Sequence, residues 1–256
     1  MLARLTEIRA TDPEAVGKAL AKRRRRSLLQ SPQKSQGGAS VFLVAADHPA
    51  RGVLKVGADP MAMADRGELL QRLLTALSRP GVDGILGTAD IIDDLALLGA
   101  LDGKIVFGSM NRGGLTGFRF ELDDRFTAYT ADGLVAAGLD GGKMMVRVAD
   151  EPEALRTLAA CAHAIDELAA RKLPAMIEVL ASELEDGRVR NRADADSLIR
   201  AITIVSGLGT TSAYLWSKLP VVDELVAGRT LLYPKDGDVA RAVDAAAAIV
   251  ATRAPR

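Results

Sequence analysis

Short apolar runs recur along this chain with helically spaced segments between them, and that alternation limits the available folds more than any single residue does. The runs are Ser40–Pro49 (SVFLVAADHP), Val82–Thr88 (VDGILGT), Gly103–Met110 (GKIVFGSM), Gly142–Val148 (GKMMVRV), Leu173–Leu180 (LPAMIEVL), Ser212–Val222 (SAYLWSKLPVV) and Gly228–Pro234 (GRTLLYP). Helical spacing and end signals mark Met63–Gly81, Glu151–Lys172, Asn191–Gly209 and Asp236–Arg253. Phe120–Gly141 reads as a loop or short strand leading into a short helix. Repeated strand–helix units call for a parallel sheet. Strands that are apolar throughout need cover on both faces or closure into a barrel. With 256 residues, 48% of them hydrophobic, the chain is long enough for one α/β barrel domain over residues 40–256. Residues 1–39 read as an extra N-terminal helix, starting near Asp12-Pro13-Glu14, and a Gln/Ser/Gly linker.

The charge balance bears on the class of partner. There are 33 basic and 33 acidic side chains, so no net field draws the chain to nucleic acid or to a membrane surface. The basic run Lys22–Arg26 (KRRRR) reads as the solvated end of the N-terminal helix, where cations suit the helix dipole, in preference to a nucleic-acid patch. The single cysteine, Cys161, lies in a helical pattern; it excludes an intrachain disulfide and fits a reducing cytoplasm. No signal peptide is evident, and no apolar run reaches the roughly 18 residues of a membrane span. Two histidines, His48 and His163, are too few for a zinc site built from His and Cys clusters, so no metal or other cofactor is expected.

Polar residues stand where a purely structural strand would avoid them. Asp47 and His48 close the first run. Ser109, Asn111 and Arg112 follow the third. Lys143 opens GKMMVRV and Arg147 lies further along it. Glu178 interrupts LPAMIEVL, Lys218 interrupts SAYLWSKLPVV, and Arg229 opens the last run. Any one of them could face solvent by strand alternation. In an α/β barrel, however, the C-terminal strand ends build the site, and an acid, a lysine, a glutamate and a second lysine from four strands would form a charge-compensated cluster. Neighbouring ammonium groups disfavour each other's charge. A neutral lysine is a nucleophile whose natural partner is a carbonyl, giving a Schiff base. A nearby carboxylate then moves the protons.

On these residues the chain resembles the class I, Schiff-base aldolases of the superfamily that holds the deoxyribose-phosphate, tagatose-bisphosphate and archaeal-type fructose-bisphosphate aldolases. AADHPARG resembles their first-strand acid motif, GKMMVRV the strand of their second lysine, LPAMIEVL the strand of their glutamate, and YLWSKLPVV the strand of the imine lysine. The likeness runs from Val41 to Val243. DHPARG, GSMNRGGL, DDRFT, GGKMM and KLPVVD together resemble an actinobacterial group linked to deoxyribose-phosphate cleavage and to myo-inositol catabolism. The resemblance implies a metal-independent carbon–carbon lyase acting on a phosphorylated sugar or sugar acid. Lys218 would form the imine, Lys143 would tune it, Glu178 would be the acid/base and Asp47 would assist proton transfer or hydroxyl binding. Arg229 would hold phosphate through a planar guanidinium. His48, Ser109, Asn111, Arg112 and Arg147 would be further substrate contacts.

The pattern departs from that family after Lys218. A parallel crossover needs a dozen residues or more, yet only Leu219–Gly228 separate Lys218 from Arg229. The expected fold is therefore a TIM (β/α)8-type barrel lacking its penultimate strand–helix unit, with seven strands. Such a gap would favour self-association. Two other readings stay open: a degenerate aldolase that binds a phosphosugar or a partner without catalysis, and a different phosphosugar enzyme on the same fold.

Overall fold

The computed structural model describes residues 1–26, 41–111, 119–219 and 229–252. Its elements run α1 (Leu2–Thr11), α2 (Ala15–Lys22), β1 (Leu43–Ala45), α3 (Arg66–Ser78), β2 (Gly84–Gly87), α4 (Ala89–Leu97), β3 (Ile105–Ser109), α5 (Ala131–Ala136), β4 (Gly141–Val148), α6 (Pro152–Ala170), β5 (Ala175–Glu185), β6 (Arg188–Arg192), α7 (Ala195–Ser206), β7 (Leu215–Lys218), α8 (Arg229–Leu232) and α9 (Val239–Thr252). The fold is mixed α/β with parallel strand pairs, as the alternation predicts. The chain divides into two units. The first comprises Met1–Pro49, Val53–Val106 and Leu225–Arg256; the second comprises Ala50–Gly52 and Phe107–Glu224.

In the first unit β1 lies parallel to β2, with Val44 opposite Ile85. The Ile105 amide donates to the Asp83 carbonyl, which continues the pairing to the start of β3. Gly84 is required there: a Cβ on it would stand 1.9 Å from the Ile105 carbonyl oxygen. Helix α3 starts on Asp65, whose carboxylate accepts from the Glu68 amide, and it buries Leu69, Leu70, Leu73, Ala76 and Leu77.

The N-terminal region differs from the sequence expectation. Two helices are present, and α1 is tied down by Arg9, which pairs with the buried Asp94 of α4. The basic run is a solvated helix end only in part: Lys22 closes α2 in solvent, and the arginines that follow are paired. After α2 stops at Lys22, Arg23 donates to the Lys104 carbonyl at 2.7 Å. Arg24 pairs with Asp102 at 2.7 Å and Arg26 with Asp83 at 2.5 Å. Those arginines fasten the segment to its own unit.

In the second unit the Phe107–Ser109 part of β3 pairs parallel with β4, β4 with β5, and β5 with β7. The core side of α6 is lined by Ala154, Thr157, Cys161, Ala164, Ile165 and Leu168. Strand β5 runs beyond its predicted end and turns back as an antiparallel hairpin with β6. The turn is Asp186-Gly187, both at positive φ (50° and 72°). An Asp-Gly pair suits such a two-residue hairpin turn.

Seven strands are present among the described residues, but not the predicted seven. The β6 strand is added, and the described part of the Gly228–Pro234 run, residues 229–234, contributes no strand. Arg229–Leu232 is instead a helical turn that buries Leu231 and Leu232. A short apolar run reads alike as strand or buried helical turn, and the preceding segment is too short for a parallel crossover. The linker expected over 28–40, and the 220–228 segment in which a unit is expected to be absent, lie outside the described residues.

Candidate active site

Strand register builds the site. In the second unit Ser109 stands opposite Lys143, Lys143 opposite Met176, Met145 opposite Glu178 and Arg147 opposite Leu180. On the other edge of β5, Glu178 stands opposite Lys218. Side chains alternate along a strand, so Lys143, Met145, Arg147, Glu178 and Lys218 share one sheet face.

On that face one carboxylate joins two lysines. Lys143 Nζ lies 2.6 Å from Glu178 Oε2, and Lys218 Nζ is hydrogen-bonded to Glu178 Oε1. Burial alone would raise the Glu178 carboxyl, but the adjacent Lys143 and Lys218 ammonium groups overcome it and hold the group well below the usual carboxylate range. The two lysines are not equivalent. The Lys143 side chain is 1% exposed, that of Lys218 33%. The apolar run around Lys218 would suggest that it is the desolvated lysine; the structure places Lys143 in that position. Trp216, two residues before Lys218 and on the same face, packs on Phe107 with ring centroids 5.7 Å apart.

A second polar network lies in the same unit. The Asn111 side chain extends the β3 ladder: its Nδ2 donates to the Met145 carbonyl at 2.6 Å, and its Oδ1 accepts from the Met145 amide at 2.8 Å. Arg51 pairs with Asp124 at 2.5 Å and donates to the Asn111 carbonyl. Asp124 is held by its amide, which donates to Thr157 Oγ1 at 2.9 Å. Arg147 Nη2 lies 2.8 Å from Glu121 Oε2. Burial pushes the Arg147 guanidinium down, and Glu121 only partly restores it.

Among the sequence candidates, Lys143, Glu178, Lys218 and Arg147 therefore come together, and Ser109 and Asn111 are fully buried beside them. Asp47, His48 and Arg229 belong to the first unit. There Asp47 is 4% exposed, and His48 Nδ1 is 4.0 Å from its carboxylate. Arg229 does not close a strand; on α8 it donates to the Lys55 carbonyl at 2.9 Å. Arg112 lies outside the described residues. Sequence reasoning missed Arg51 and Glu121. The available signal for Arg51 was its place in DHPARG, three residues after His48. Among the described residues no group of His, Cys, Asp and Glu could hold a metal ion, and no helix is long and apolar enough to cross a membrane.

A Cgl0159-like family model matches residues 39–227 of the chain. The crystal structure of Cgl0159 from Corynebacterium glutamicum is 45% identical to this chain, with a TM-score of 0.91 over 98% of this chain and 97% of that one. An archaeal fructose 1,6-bisphosphate aldolase shares the fold at 14% identity, with a TM-score of 0.52 over 82% of this chain and 93% of that one. No protein of curated function matches the chain.

Proposed function

This chain belongs to the Cgl0159-like family, and on its Lys143–Glu178–Lys218 cluster we propose that it is a class I aldolase that cleaves a phosphorylated sugar or sugar acid through a lysine Schiff base. The observation that carries the reading is the single carboxylate held between one sealed and one accessible lysine. A nucleophile has to meet its substrate, and the one-third exposure of Lys218 permits that. Lys143 has no such access and serves as a fixed positive charge on the other Glu178 oxygen. Preorganised charge of this kind acts without reorganisation during reaction.

The chemistry then runs in balanced steps. Lys218 gives its proton to Glu178, its amine adds to the substrate carbonyl carbon, and Glu178 returns that proton to the carbinolamine hydroxyl, which leaves as water to give a protonated imine. Glu178 takes the proton of the hydroxyl on the β carbon. The bond between the α and β carbons breaks, an aldehyde departs, and the bonding pair enters the enamine. Protonation of the enamine carbon and hydrolysis of the imine return Lys218 and release the second carbonyl product. The imine is itself the electron sink, so the sequence of steps calls for no metal. The sequence resemblance directs the activity toward deoxyribose-phosphate or inositol catabolism in the cytoplasm.

Borohydride added in the presence of sugar phosphates and phosphorylated sugar acids tests this. The expected result is a reduced adduct on Lys218 by peptide mass spectrometry, loss of turnover in Lys218→Ala, and no effect of chelators. An adduct on a different lysine refutes the assignment. A ligand-induced thermal shift with no adduct from any substrate supports binding without catalysis instead.

A further inference from the structure

Lys218 ends a strand of four residues, and among the described residues that strand pairs with β5 alone. A short strand with one paired edge is held weakly by its ladder. Two side chains add to the hold. Lys218 ties the strand's end to Glu178, and Trp216 ties its middle to Phe107.

The second tie spans the whole face. Phe107 lies on β3 opposite Gly141, two residues before Lys143. Trp216 lies on β7 opposite Met176, which is itself opposite Lys143. The two rings therefore meet across β4 and β5, on the N-terminal side of Glu178 and Lys218, with centroids 5.7 Å apart and planes inclined by 36°. Gly141 lets the Phe107 ring lie across the sheet, because a Cβ there would stand 2.3 Å from it. Phe107 is fully buried, so the brace is anchored at its inner end.

The two ties do not last equally through the chemistry. Lys218 hands its proton to Glu178 before its amine attacks, so both groups are neutral at the step in which the nucleophile has to be in place. The ion pair is discharged when its hold is needed most, and a misplacement of about 1 Å can cost about 100-fold in rate. Contact between apolar rings does not depend on protonation and persists through that step.

We propose that Trp216 is the positioning residue of Lys218: braced on Phe107 over the bare Gly141, it holds β7 in place while the Lys218–Glu178 pair is discharged. The proposal rests on the Schiff-base reading above and adds the group that places its nucleophile. Trp216 acts through β7, not on the substrate.

Cyanoborohydride trapping over a concentration series of dihydroxyacetone phosphate or deoxyribose 5-phosphate, read on Lys218 by peptide mass spectrometry, gives each variant a limiting rate and a half-saturating concentration. Trp216→Leu and Phe107→Leu are each expected to lower the limiting rate about 2- to 10-fold, the factor that matches the contribution of an aromatic pair, with the half-saturating concentration unchanged. Trp216→Phe keeps a ring and should retain most of the rate. The double variant Trp216→Leu, Phe107→Leu should be no slower than the slower single variant, because both remove one contact. Should Trp216→Leu fail to fold, Phe107→Leu carries the same comparison from the other ring. An unchanged limiting rate overturns the proposal and leaves Trp216 a packing residue; a loss confined to the half-saturating concentration overturns it and makes Trp216 a substrate contact. Hydrogen exchange of the Leu215–Lys218 amides needs no substrate. It should quicken in Trp216→Leu and Phe107→Leu while exchange in α6 stays as in the wild type, and unchanged exchange in β7 refutes the brace. If the wild type traps neither probe on Lys218, the Schiff-base reading fails by itself; faster exchange in β7 then still supports the brace, and unchanged exchange still refutes it.

Discussion

Breaking the lysine–glutamate cluster one member at a time should produce costs in a definite order. Replacing Glu178 by Met removes the carboxylate that lies 2.6 Å from the Lys143 ammonium, which is 1% exposed. Removing one partner of a buried pair costs about 3–5 kcal/mol. Lys143→Met is milder, because Glu178 keeps Lys218 on its other oxygen. The loss is one charged hydrogen bond, about 1.5–3 kcal/mol, offset in part because an ammonium no longer has to be buried, for a net cost of about 1–2 kcal/mol. The double variant leaves only Lys218, which reaches water, and apolar replacement of a buried pair is often neutral, so about 0–1 kcal/mol is expected. Urea unfolding of the four proteins at pH 7 gives the cycle, with an expected coupling of about 3 kcal/mol or more. Glu178→Met no costlier than Lys143→Met, or a double variant that is additive within about 0.5 kcal/mol, would refute the reasoning. The pH dependence has a fixed sign. Because the folded-state Glu178 carboxyl lies below its ordinary value of 4.5, its contribution is complete above that pH and is lost as the pH falls beneath it. The gap between wild type and Glu178→Met should narrow accordingly on acidification.

Two further outcomes follow from local packing. Burial pushes the Cys161 thiol up to about 12, so iodoacetamide at pH 8 should label it only in the unfolded protein; rapid labelling of the native protein would contradict its place on the buried side of α6. Gly84→Ala forces a Cβ to 1.9 Å from the Ile105 oxygen and should cost about 3 kcal/mol. Gly187→Ala meets nothing within 4 Å and only has to hold a positive φ, about 1–2 kcal/mol; equal unfolding midpoints for the two would count against the β2–Ile105 contact.

What could be read from the sequence depended on whether a signal was local. The α/β alternation, α3, α6, α7 and α9, and six of the seven predicted runs are local patterns of period and punctuation, and they reappear as elements. The hairpin was equally local. LEDGRV carries an Asp-Gly turn, yet the charged residues of β6, Arg188–Arg192, hide the strand from a reading that follows apolar runs. The GRTLLYP run failed for the opposite reason. Its apolar residues are real core, but Leu231 and Leu232 are buried as neighbours on a helical turn, where a strand would point them to opposite faces. The pairing of Arg23, Arg24 and Arg26 with Lys104, Asp102 and Asp83 joins positions far apart in the chain, so nothing within KRRRR could have revealed it.

The site shows the same division between pattern and depth. Alternation along β4 places Lys143 and Arg147 on one face, and the register with β5 puts Glu178 on that same face. Which lysine is sealed depends on what flanks each strand. Lys143 sits on β4, with β3 on one edge and β5 on the other. Lys218 ends β7, which pairs on one edge only among the described residues. An apolar sequence around a lysine therefore predicts a costly neighbourhood without predicting a buried charge. In YLWSKLPVV the apolar letters secure the strand, and Trp216 on Phe107 fixes its register face, while the lysine itself stays within reach of water. For Schiff-base chemistry this is the more useful arrangement. The fixed charge of Lys143 is kept from solvent and so acts at close to its full strength on Glu178, and the amine that must meet a carbonyl is the one a carbonyl can approach.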